Sequence, residues 1–212
     1  MDRDTAVSII MRRLGNRSGI ESQIITDMQL AQTELEQATE RPWFLLNFRQ
    51  ALVNETSPTD AILLLDDFLT EWKDGLLEYE DEDGNWHKLD KRDFKALNQV
   101  DANNFTAPSF YGITKDRLII VPDPAEVLNF RWSYWAKDTV LDSNVENEWL
   151  AKVPEVLICA TGIKTATFIE AAAKIQAFTS GFNTAYGAMK LMSQKFFEAN
   201  ESMYLEYGGS YQ

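Results

Sequence analysis

An α+β fold is what the sequence predicts: a helical bundle of two N-terminal and two or more C-terminal helices, carrying an inserted antiparallel β-rich region. Three observations predict it. Apolar residues recur at helical spacing at both ends of the chain. Between them lie β-branched and aromatic runs, parted by turn clusters. Strands and helices do not alternate as βαβ units, which argues against a parallel doubly wound sheet. The expected boundaries are 1–42 plus 144–207 for the helical part, 43–143 for the β-rich insert and 208–212 for a C-terminal tail.

The first helix rests on Val7, Ile10, Met11 and Leu14, which fall at i, i+3, i+4 and i+7. Asp4 is positioned to cap its start and Gly15 to supply a left-handed stop. Arg12 and Arg13 lie in the last turn, where cations favour the helix dipole. A second helix is expected to open on a capping box, Ser18 to Glu21, and to end before Pro42. Its length would be about 30 Å. Ile20, Ile24, Met28, Ala31 and Leu35 make a narrow apolar stripe, and the Glu, Gln, Thr and Asp residues around it read as a solvated face.

The texture then changes. Phe44 to Val53 reads as extended, Asn54 to Asp60 as a turn around Ser57-Pro58, and Ile62 to Leu65 as either strand or helix. Leu76 to Tyr79 and Asn85 to Leu89 form a hairpin around Glu80 to Gly84. Lys91 to Val100 holds a short helical turn, Thr106 to Gly112 is loop-like, and Arg117 to Val121 is a strand stopped by Pro122. In Leu128 to Ala136 the alternation puts Leu128, Phe130, Trp132 and Tyr134 on one face, with Trp135 on the other. Helical texture returns from Asn144. Ser143 and Glu146 have capping-box spacing, and Pro154 suits a first turn. Ala166 to Ala177 is rich in small residues suited to close packing. Phe182, Tyr186, Met189, Phe196 and Met203 carry a last long helix up to Gly208-Gly209.

Bulk properties narrow the function. The chain has 212 residues, 45% of them hydrophobic, enough for a sizeable core. One cysteine, Cys159, excludes an internal disulfide framework and a Cys-rich metal site; its apolar surroundings suit a buried, inert thiol. No signal peptide or membrane-spanning run is expected, which points to synthesis in a reducing cytoplasm. A net charge of −13 argues against a DNA-gripping face, although a surface that lets DNA pass without holding it fits that balance.

Catalytic chemistry is hard to find. His87 is the sole histidine, so a Ser–His–Asp triad or a His-rich metal site would hang on it alone. Asp66-Asp67 and the Glu78 to Asp83 run offer carboxylates, but a solvated acidic turn explains the run, which lacks EF-hand spacing. No Gly-rich phosphate loop is present. No cofactor and no metal are expected. Trp132, Tyr134 and Trp135 offer a stacking platform; core packing accounts for the first two and leaves Trp135 as an interface anchor.

Asn147-x-Trp149-Leu150, then Pro154-Glu155-x-Leu157 and a small-residue helix, resemble the carboxyl-terminal part of the tailed-bacteriophage head–tail adaptor (connector) family. So do Arg117 to Pro124 leading into an aromatic strand, the N-terminal helical pair, and Leu65-Asp66-Asp67-Phe68-Leu69. Two stretches depart from the family's pattern. A Pro commonly precedes the Asp-Phe, where this chain has Leu64-Leu65-Asp66, and Val140-Leu141-Asp142-Ser143 stands where Leu-Ser-Asp is frequent. The resemblance implies a structural virion protein, not an enzyme, that docks on the portal protein and joins the capsid to the tail or neck proteins. It implies a homo-oligomeric ring, expected as a dodecamer, with helices around a channel through which genomic DNA passes without sequence-specific binding. The C-terminal tail of such proteins reaches onto the portal, which by position points to Tyr204, Tyr207 and Tyr211 as interface candidates, beside Trp135 and Trp149. The other readings are a tail-tube or neck protein one layer further out, a carbohydrate-binding module displaying Trp135, and an acid–base hydrolase using Asp66 or Asp67.

Overall fold

A computed structural model describes residues 1–52, 61–115, 117–124, 127–142, 145 and 147–199. Along the chain run α1 (Arg3–Arg13), α2 (Glu21–Gln37), β1 (Leu46–Ala51), β2 (Ala61–Leu63), β3 (Phe68–Glu80), β4 (Trp86–Lys88), β5 (Asp90–Lys91), α3 (Phe94–Leu97), β6 (Phe110–Ile113), β7 (Arg117–Val121), β8 (Phe130–Ala136), α4 (Glu148–Lys152), α5 (Pro154–Phe168) and α6 (Ala172–Ala199). The protein is therefore mixed α+β, with the sheets inserted between N- and C-terminal helices. It divides into a helical unit, Met1–Leu45 with Asp138–Gln212, and a β unit, Leu46–Lys137. The divisions fall at Leu45/Leu46 and Lys137/Asp138, a few residues inside the 42/43 and 143/144 boundaries read from the sequence.

In the helical unit, Asp2 rather than Asp4 caps α1: its Oδ1 accepts the Thr5 N–H at 2.7 Å, and Asp4 lies in the first turn. Gly15 follows at φ +92°, as its place after the helix requires. The Ser18–Glu21 box does not form. Gly19 takes φ +80°, so helical geometry cannot begin before it, and Ile20 becomes the cap residue with no side-chain bond. The seventeen residues of α2 span about 25 Å. The helix ends at Gln37, ahead of Pro42, because Ala38 turns extended.

The core of this unit is built around α5, which packs on α1, α2, α4 and α6. A helix apolar on nearly all sides suits that central place. Val156, Leu157, Ile158, Cys159 and Ala166 are buried there. Its contact with α6 is close. A Cβ on Gly162 would lie 2.4 Å from the Phe178 ring, and one on Gly181 would lie 2.9 Å from the Cys159 sulfur. The small-residue tract from Ala166 to Ala177 is not one continuous helix. It breaks after Phe168, where Glu170 adopts φ +54°, and α6 starts at Ala172.

The β unit holds two four-stranded sheets, ordered β1-β8-β3-β4 and β2-β7-β6-β5. Pairing is antiparallel except between β5 and β6, which run parallel and depart from the all-antiparallel expectation. The hairpin at Gly84 and the strand at Arg117–Val121 are where the sequence places them. Thr106 to Gly112 is not all loop, since β6 begins at Phe110. Phe44 does not start a strand either; Trp43–Leu45 is a 3-10 turn, and β1 begins at Leu46. The Asn54 to Asp60 turn lies outside the described residues.

Both sheets feed one core, in which Leu77, Tyr111, Leu118, Ile120, Trp132 and Tyr134 are buried. Trp132 stacks on Phe68 with centroids 4.8 Å apart. Phe130, Trp132 and Tyr134 share the buried face that strict alternation assigns them. Ser133 is also buried, on the opposite face, where its hydroxyl accepts the Arg49 N–H at 3.0 Å. Arg49 has φ +51°, and the β1–β8 register slips between Asn47 and Gln50, so a bulge serves that contact.

Candidate assembly surface

The segment from Asn147 to Leu157 is a structural joint. Asn147 caps α4 by accepting the Leu150 N–H at 3.2 Å. Its amide donates to the Thr139 carbonyl at 2.8 Å and to Gln32 at 3.2 Å. Trp149, expected at an interface, is 0% exposed and meets Phe44 edge to face at 5.3 Å. The α4 turn, short as it is, points this indole inward, so Trp149 is a core residue rather than an anchor. Pro154 stands at the first position of α5, as expected. Ser143 and Glu146 lie outside the described residues.

Thr26, Gln29, Thr33, Glu34 and Gln37 of α2 are exposed as expected, but part of its polar surface is not solvated. Asp27, Gln32 and Glu36 are buried. Asp27 accepts the Thr165 hydroxyl at 2.7 Å and the Gln23 amide at 2.8 Å. Glu36 accepts the Gln32 amide at 2.7 Å and the Asp138 N–H at 3.1 Å. Asp138 in turn accepts the Trp149 N–H at 3.0 Å and the Thr139 N–H at 2.7 Å. Burial raises the pKa of both Glu36 and Asp138, against the lowering effect of these donors. The two carboxylates hold the chain as it re-enters the helical unit.

The other titratable groups also have structural partners. Asp67 accepts the Tyr134 hydroxyl at 3.1 Å, and burial pushes that phenol up to about 12. Asp66 is exposed. His87 is half-buried and contacts Asp81 at 2.5 Å, which holds the Asp81 carboxyl down to about 2. Cys159 is buried, and burial followed by the Glu155 carboxylate pushes its thiol up to about 12. That carboxylate is held below its usual range by its bidentate pair with Arg13, at 2.5 and 3.0 Å. Among the described residues no group of His, Cys, Asp and Glu is placed to hold a metal ion, and no helix is long and apolar enough to cross a membrane.

Exposed apolar side chains occur at several places among the described residues, Val140 and Phe168 among them, and the end of α6 carries neighbouring ones. The helix has 28 residues, about 42 Å at 1.5 Å per residue, and its buried residues are Phe178, Met189 and Ser193. Leu191 is 60% exposed, Met192 49% and Phe196 37%. Phe196 keeps the expected spacing: seven residues from buried Met189, it lies on nearly the same side of the helix, and its ring centroid is 6.5 Å from that of Trp43. Leu191 and Met192 were not singled out in the sequence, although they fall off the Phe182–Tyr186–Met189 spacing and so announce a second apolar face. Trp135 is half-buried in β8, opposite Leu46 and Thr70. Tyr204, Tyr207 and Tyr211, like Met203 and Gly208-Gly209, lie outside the described residues.

No protein-family model matches the chain, and no curated protein matches it significantly.

Proposed function

We propose that this chain is a head-to-tail adaptor of a tailed bacteriophage, a virion protein that docks on the portal ring, forms a ring itself and connects the capsid to the tail or neck. The observation that carries the reading is the exposed apolar face at the C-terminal end of α6, on a helical unit that carries an inserted β unit. A surface of that kind on a strongly charged chain marks a site of association. The segments from Arg117 to Pro124 and from Asn147 to Leu157 that resemble the adaptors support the same reading.

The mechanism is recruitment and passage rather than chemistry. The buried polar joint between α2, Asp138 and α4 fixes the helical unit as a rigid block. Such a block can be repeated around an axis. With a net charge of −13, a lumen poor in cations would repel the phosphate backbone and let the genome slide during ejection. The adaptor is made in the host cytoplasm and works at the head–tail interface of the virion. Co-expression with the portal protein of the same virus tests the assignment. A complex of the two rings that survives size exclusion is the expected result. Failure of the chain to bind the portal, with binding to isolated tails instead, would move it one layer outward to a tail-tube or neck role.

A further inference from the structure

We draw no further inference here: the strongest candidate, the exposed apolar patch that Leu191 and Met192 form at the end of α6, carries nothing, because nothing in the structure shows what covers it.

Discussion

Replacing Asn147 with alanine probes the joint on which the helical unit depends. The side chain is buried, and its oxygen caps α4 while its amide reaches back to Thr139 and Gln32. Loss of the cap costs about 1 kcal/mol. The Thr139 carbonyl keeps a donor, the Gln32 amide at 3.2 Å, so little is lost there. The Gln32 side-chain oxygen is buried and loses the Asn147 donor, which costs about 1–3 kcal/mol. The sum is roughly 2–4 kcal/mol, or a fall of about 5–15 °C in the melting temperature of a chain this size. Thermal unfolding followed by far-UV circular dichroism, which weights the helices, measures it. Asn147→Ser keeps a capping oxygen and is expected to recover about 1 kcal/mol of the loss. A melting curve for Asn147→Ala that overlays the wild type would refute the view that this residue holds α2 to the return of the chain.

Three further outcomes are expected. Gly162→Ala places a methyl group against the Phe178 ring and should cost about 1–3 kcal/mol in urea unfolding, whereas Gly187→Ala, with nothing within 4 Å, should not destabilise; equal effects at the two glycines would contradict the close α5–α6 packing. Glu36 and Asp138 have raised folded pKa values, so the stability they contribute is present at low pH and is lost as pH rises through those values. Glu36→Gln should therefore help at pH 8 relative to its effect at pH 4, and a variant whose disadvantage grows with pH would reverse that sign. The Cys159 thiol, pushed up to about 12, should react with a thiol reagent at pH 8 roughly a thousandfold more slowly in the native protein than after unfolding in urea, and similar rates would contradict its burial.

What the sequence disclosed was mostly local. The α1 stripe, the Gly84 hairpin, the first turn at Pro154 and the buried Trp132–Tyr134 face depend on neighbours within a few residues, and each was legible. The burial of Asp27, Gln32 and Glu36 on α2 was not, because what buries them is remote: Gln32 meets Asn147 at a separation of 115 residues, and Asp27 meets Thr165 at 138. A Glu or Gln beside an apolar stripe reads as solvated until its partner is known. The capping box at Ser18 failed because Gly19 took a left-handed conformation, which spacing alone does not reveal. Trp149 was expected at an interface, yet an indole serves a core as readily as an interface, and here the core claims it. The exposed stripe on α6 was hidden by the opposite difficulty. Leu191 and Met192 look like ordinary core formers in one dimension, and only the position of α5 shows which side of the helix is already occupied.

An image of the neck of the virus particle, good enough to trace single subunits, tests most directly whether this chain forms the ring between portal and tail. The expected density is a closed ring of identical subunits seated on the portal, each fitted by the helical unit. A neck whose rings accommodate neither the helical unit nor the β unit of this chain would contradict it.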